Sequence, residues 1–180
     1  MDPVKIFIKK EPHKQKKIAS GKLRLIWSIS VVDSIIERML FSRQNKAEIA
    51  RWKDIPSKPG LGFTDEMSAS LYSRVMAAKS QFDLVDTDVS GWDMAVPYWL
   101  FMWDLERRRV LSRESEDGGW YRVARSRMEC LSQSLLVTSS GKVLSQTEKG
   151  IQKSGTFITG STNSAMRVML AYSLGSDFII

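Results

Sequence analysis

Phe82-Asp83-Leu84-Val85-Asp86-Thr87-Asp88-Val89-Ser90-Gly91-Trp92-Asp93 is the stretch on which the fold turns. Apolar and acidic residues alternate up to Asp88, which predicts a short strand with Phe82, Leu84, Asp86 and Asp88 on one face. Gly91 ends it. Asp93 follows five positions after Asp88, so two carboxylates reach one sheet edge. Carboxylates so placed suit Mg²⁺, which takes one or two of them and fills its other positions with water and phosphate oxygens. The spacing alone is weak, because aspartate also forms turns and caps helices.

Helices flank this segment. Thr64 followed by Asp65 and Glu66 starts one that runs to about Lys79, with its acids suited to the helix dipole. Residues 95–111 and 120–136 read as two more. Gly141, between Leu135-Leu136-Val137 and Val143-Leu144, predicts a hairpin. Nearer the start, Val4 to Lys9 and Leu23 to Ile29 alternate as strands. Ser30 and Asp33 form a capping-box-like start for a helix to about Ala50, with Val32, Ile35, Ile36, Met39 and Leu40 at helical spacing. Pro56-Ser57-Lys58-Pro59-Gly60-Leu61-Gly62 is a loop by its Pro and Gly content. Strands interspersed with helices and hairpins indicate an α+β fold.

A second segment, Ser154-Gly155-Thr156-Phe157-Ile158-Thr159-Gly160-Ser161-Thr162-Asn163-Ser164, leads into a helix ending near Leu174. Hydroxyl and amide side chains crowd the loop and the first helical turns. Thr159 and Asn163 lie four apart and share a helix face. Such a surface can hydrogen-bond sugar hydroxyls, and Gly155 allows a nucleic-acid strand to come close. An ordinary Ser/Thr-rich helix cap reads equally well.

Charge supplies the third clue. Of a net charge of +7, +6 falls within residues 1–24, where Lys5, Lys9, Lys10, Lys14, Lys16, Lys17, Lys22 and Arg24 face only Asp2 and Glu11. Such a block suits a polyanion, or serves as a solvated face. Lys22 and Arg24, two apart on a predicted strand, point the same way, and Glu11 can hold a neighbouring cation. One cysteine and one histidine exclude a zinc site of the usual His/Cys type. Cys130 has no internal disulfide partner and fits a reducing compartment. The longest apolar run, Tyr98 to Trp103, is far short of the roughly twenty residues a membrane helix needs. It reads as core, and Arg107-Arg108-Arg109 with Arg113 reads as a solvated face that could alternatively touch nucleic-acid phosphates. The final Asp177-Phe178-Ile179-Ile180 has no cap or tail, so the chain is read as a piece of a larger protein, ending where a strand begins.

In this order the three segments resemble the motifs of right-hand RNA-dependent RNA polymerases of positive-strand RNA viruses. Lys9-x-Glu11 with Lys22-x-Arg24-Leu25-Ile26 resembles fingers motif F, Asp88-x4-Asp93 resembles palm motif A, and Ser154-Gly155-x3-Thr159-x3-Asn163-Ser164 resembles motif B. The linking segments are most similar to the sobemovirus and polerovirus group, notably Lys10-Glu11-Pro12-His13-Lys14, Ile55-Pro56-Ser57-Lys58-Pro59-Gly60 and Gln152-Lys153-Ser154-Gly155. The Gly-Asp-Asp of motif C, with its second metal-binding aspartate, is absent from these 180 residues, as is the thumb.

The resemblance implies fingers (1–80) and a partial palm (81–180), with an antiparallel palm sheet packed on helices. It implies nucleotidyl transfer by a two-metal mechanism using Mg²⁺, or Mn²⁺ in its place. Asp88 would be the catalytic and metal-binding residue. Lys9, Lys22 and Arg24 would cover the triphosphate, with Glu11 as their anchor. Asp93, Asn163, Ser154 and Thr159 would read the ribose 2′-hydroxyl, which distinguishes RNA precursors from DNA precursors. Reverse transcriptases place a bulky aromatic where Asp93 stands. Lys10, Lys14, Lys16, Lys17 and Gly155 would contact RNA. Implied partners are template and nascent RNA, NTPs, the rest of the polymerase chain and other viral replication proteins. The implied location is the host cytoplasm, at membrane-associated replication sites. The competing reading is a non-catalytic, basic RNA-binding module.

Overall fold

The computed structural model describes residues 1–60 and 64–175, so the Leu61-Gly62 part of the predicted loop and the terminal apolar run lie outside the described residues. The elements in chain order are β1 (Val4–Ile8), α1 (Gln15–Ala19), β2 (Leu25–Ser28), α2 (Val31–Ala50), α3 (Asp65–Lys79), α4 (Trp92–Ala95), α5 (Tyr98–Ser112), α6 (Gly119–Ser132), β3 (Leu135–Thr138), β4 (Val143–Ser145) and α7 (Thr159–Ser173). The fold is α+β, as expected.

Local signals set most element boundaries. Ser30 Oγ accepts the Asp33 amide at 3.1 Å and donates to the Asp33 carboxylate at 2.9 Å, fixing the start of α2. Thr64 Oγ1 accepts the Met67 amide at 3.2 Å and starts α3. Pro97, which cannot donate a backbone hydrogen bond, is the N-cap of α5. Gly141, at φ +83°, turns the β3–β4 hairpin.

The sheet runs β2-β1-β3-β4. β1 pairs antiparallel with β2 and parallel with β3, while β3 and β4 pair antiparallel. The sheet is therefore mixed rather than wholly antiparallel. It joins strands from both sides of residue 80. The expected strand at 82–88 is corrected: residues 83–89 have no regular structure, and Phe82, Leu84 and Val85 are exposed. A strand needs a neighbour to take its backbone hydrogen bonds. None lies beside this segment among the described residues.

The core joins four helices. Phe41 of α2, Leu100, Phe101 and Leu105 of α5, Ala124 and Met128 of α6, and Met166 of α7 are all buried together. The Tyr98–Trp103 run is largely core, although Trp99 is half exposed at 49%. The face that α2 packs inward is not its apolar one. Asp33, Glu37, Phe41, Asn45 and Glu48 are buried at helical spacing, whereas Val32 and Met39 are exposed.

Arginines on the facing helices explain this choice. Arg127 of α6 binds Asp33 and Glu37, with its Nε 3.1 Å from Glu37 Oε1. Arg107 of α5 reaches Glu48 at 2.8 Å. Arg108 is fully buried, donating to Asp104 at 2.9 Å and Asn45 at 3.0 Å. The predicted solvated face of Arg107-Arg108-Arg109 is thus corrected: Arg108 is interior, and Arg107 and Arg109 are paired with carboxylates. Buried charges persist only when paired, so the arginines dictate which face of α2 turns inward.

Candidate active site

The basic block is built on β1, α1 and β2. The β1–β2 ladder continues past β1 through the Lys9 amide, which donates to the Arg24 carbonyl at 2.9 Å. That pairing brings three side chains together. Glu11 binds Lys9 Nζ at 2.7 Å and lies 3.7 Å from Arg24 Nη1. The hydrogen bond from Lys9 and the surrounding positive charge hold the Glu11 carboxyl below its ordinary pKa. Glu11 therefore pairs with Lys9 and Arg24 at once. Lys22 lies just before β2, and Lys10, Lys14, Lys16, Lys17 and Lys22 are all exposed.

Asp88 faces a cavity of about 470 Å³ shared with Lys58, Trp92, Asn163, Ser164 and Arg167. Three long-range contacts assemble it. Arg167 Nη2 of α7 donates to Thr87 Oγ1 at 2.7 Å. Trp92 Nε1 donates to Asn163 Oδ1 at 2.9 Å. The Lys58 amide donates to Ser164 Oγ at 2.8 Å. Lys58 Nζ is turned back onto the Trp52 and Ile55 carbonyls, and burial together with the nearby Arg74 charge lowers its pKa.

Asp93, next in sequence to the cavity residue Trp92, meets Ser154. Burial raises the Asp93 carboxyl above its ordinary pKa, while a hydrogen bond with Ser154 and the charge of Arg24 oppose the rise. Residues from the three sequence segments therefore converge here. Asp93 also holds the loop through its backbone, accepting the Gln152 amide at 2.7 Å.

Thr159 is turned elsewhere. Its hydroxyl faces the carbonyls of Ser154 at 3.1 Å and Thr156 at 2.9 Å, within its own loop. Gly155 also has a reason internal to the protein: a Cβ there would lie 1.7 Å from the Trp27 carbonyl oxygen. Nor is the segment an ordinary hydroxyl cap, since the N-cap of α7 is Ile158. Ser161 and Thr162 are buried against Arg108 instead.

Sequence reading missed Lys58, Trp92 and Arg167 as cavity residues. Trp92 stands inside the decisive stretch, but an indole beside an acid has no periodic signature. Lys58 and Arg167 are brought in from a loop and a helix by tertiary packing alone.

Among the described residues no group of three or more His, Cys, Asp or Glu could enclose a metal ion. Asp88 is exposed, and its carboxylate is free of hydrogen bonds and ion pairs among the described residues. One accessible carboxylate fits a hydrated hard cation that takes its remaining oxygens from water and phosphate.

A family model described as viral RNA-directed RNA-polymerase matches residues 1–180, and the chain belongs to that family. Protein P1-P2 of Pea enation mosaic virus-1 is 42% identical to it over 191 residues, covering 100% of this chain and 16% of that protein. Replicase polyprotein P2AB of Southern cowpea mosaic virus is 42% identical over 180 residues, covering 99% of this chain and 19% of the polyprotein. The RNA-directed RNA polymerase of Mushroom bacilliform virus is 39% identical over 168 residues, covering 93% of this chain and 40% of that protein. The chain thus spans less than half of each of these relatives. The likeness to the polerovirus and sobemovirus group holds.

Proposed function

We propose that this chain supplies the nucleotide-entry side of a viral RNA-directed RNA polymerase, joining NTPs to an RNA 3′ end for genome replication and transcription. The observation that carries this reading is the cavity that Asp88, Asn163 and Arg167 line together, with Asp93, next in sequence to the cavity residue Trp92, held by Ser154 and near the charge of Arg24. Residues 1–80 act as the fingers side and residues 81–180 as the palm side of this site. Partners are template and nascent RNA, NTPs and the remaining polymerase polypeptide. The working site is in the host cytoplasm, at membrane-associated replication complexes. No helix among the described residues is long and apolar enough to cross a membrane itself.

Asp88 would hold Mg²⁺, or Mn²⁺ in its place. The cation supplies charge neutralisation for an in-line displacement at the α-phosphate. The chain's own residues position the substrate. Lys9 and Arg24, held by Glu11, neutralise the triphosphate and stabilise charge as pyrophosphate leaves. Asn163, its carbonyl oxygen occupied by Trp92, keeps its amide N–H groups as donors toward the sugar. Asp93 accepts from the ribose 2′-hydroxyl, and Ser154 orients the Asp93 carboxyl.

The test is primer extension by the complete polymerase carrying Asp88→Ala. Extension should be abolished, while RNA affinity measured across a salt series stays within about twofold of wild type, because phosphate contacts dominate that affinity. Wild-type extension by the variant overturns the role of Asp88 and leaves the basic RNA-binding module as the better reading.

A further inference from the structure

Lys153 is one of the most deeply buried side chains among the described residues, 1% exposed, and it lies next to Ser154. Its Nζ donates to Gln146 Oε1 at 2.7 Å and to the Gly150 carbonyl at 3.1 Å. No carboxylate faces it among the described residues, so neutral oxygens alone hold the ammonium. Burial accordingly drops its pKa to about 8.

The acceptors are themselves fixed. Gln146 Nε2 is 2.6 Å from the Ser132 carbonyl, 2.6 Å from the Glu148 carbonyl and 3.1 Å from the Gly150 carbonyl. Gly150 forms a β-bridge with Pro97, and the Ile151 amide donates to the Val96 carbonyl at 2.9 Å. With the Gln152–Asp93 bond, residues 150–152 are zipped onto residues 93–97. The Lys153 carbonyl in turn accepts the Thr156 amide at 3.1 Å, so this residue is held through both its side chain and its main chain.

We infer that Lys153 is a positioning residue for ribose selection, pinning Ser154 at the register where it orients the Asp93 carboxyl. Charge-assisted bonds are the stronger kind of hydrogen bond, and here they fix one residue directly before the hydroxyl that must be placed. Discrimination at a hydroxyl is sensitive to small displacements of the groups that read it. The inference rests on the reading of Asp93 and Ser154 as the ribose contact.

The experiment is single-nucleotide incorporation of ATP and of 2′-deoxy-ATP by the complete polymerase, in wild type, Lys153→Met, Asp93→Asn and Ser154→Ala. Lys153→Met should lose about tenfold of the preference for ATP in kcat/KM, the worth of roughly one hydrogen bond. The loss should come through the KM for ATP, with 2′-deoxy-ATP incorporation within about twofold of wild type. A merely structural role would lower both substrates by one factor and leave the preference intact, and that result overturns the inference. Full preference in Asp93→Asn and Ser154→Ala overturns the underlying ribose reading instead. Lost preference in those two variants with intact preference in Lys153→Met overturns only the role of Lys153. Melting temperatures are measured alongside, and where Lys153→Met does not fold, the shorter, neutral Lys153→Gln carries the same comparison.

Discussion

Arg167 donates from Nη2 to the Thr87 hydroxyl at 2.7 Å, so the helix that carries Asn163 also restrains the residue before Asp88. Residues 83–89 have no strand ladder, and this side-chain contact takes on part of its task. Arg167 also lies over the Trp92 ring at 5.8 Å, close to the indole that holds Asn163. Arg167→Met should lower kcat/KM for nucleotide incorporation by about tenfold while leaving the melting temperature nearly unchanged, because the Thr87 contact is exposed. Steady-state primer extension with paired thermal melts checks this. A large fall in melting temperature would show the contact to be structural.

Glu11 holds two cations at once, and removing its charge should release both. For Glu11→Gln the KM for NTP is expected to rise roughly threefold with kcat little changed, in keeping with the modest worth of exposed ion pairs. Nucleotide titrations at low and high salt measure it, and the difference should shrink as salt rises.

Gly155→Ala tests the close approach of the loop to β2. With backbone on both sides of the clash, the loop must move away from Trp27, at a cost of about 1–3 kcal/mol. A lowered urea midpoint, with faster amide exchange across residues 154–159, is the expected result. An unchanged midpoint would mean that RNA, not Trp27, is what excludes a side chain there.

Asp104 is fully buried. Burial alone would push its carboxyl up, but the charges of Arg108 and Arg107 hold it below its ordinary pKa. Its folded pKa lies under its unfolded one, so its contribution is fully present above the unfolded value of about 3.9 and is lost as pH falls through the folded value. Arg108→Leu removes one of the two guanidinium partners of this carboxylate, leaving Arg107 at 2.8 Å, and should cost about 1–3 kcal/mol at neutral pH. Urea unfolding at pH 7 and below pH 4 measures both effects. The gap between wild type and variant should narrow in acid.

Lys153 has the opposite pH signature. Its folded pKa of about 8 lies below the ordinary lysine value of 10.5, so the unfolded chain binds more protons between those limits. Stability should therefore rise as pH climbs from about 8 toward 10.5 in wild type, relative to Lys153→Met. Unfolding curves across that range, taken as differences between the two proteins, isolate this group from the other titrating residues.

Much was legible in the one-dimensional pattern. The caps at Ser30 and Thr64, the turn at Gly141 and the loop-to-helix passage at 154–173 depend on a few neighbouring residues, and each formed as read. The candidate site was legible to the extent that Asp88, Asn163, Asp93, Ser154, Glu11 and Arg24 carry recognisable spacings; packing then sets Asp88 and Asn163 on one cavity and Asp93 near Ser154 and Arg24.

What the chain alone determined is local: helix starts, turns and the order of its chemical groups. Only the tertiary structure decided that residues 82–88 lie open, because a strand exists only with a partner to share its hydrogen bonds. Only it decided which face of α2 turns inward, since periodicity defines a stripe but the arginines of α5 and α6 determine which stripe can be buried. Lys58, Arg167 and Lys153 acquired their places the same way. Their partners are carbonyls, hydroxyls and an amide, groups too common along any chain to mark which of them will meet.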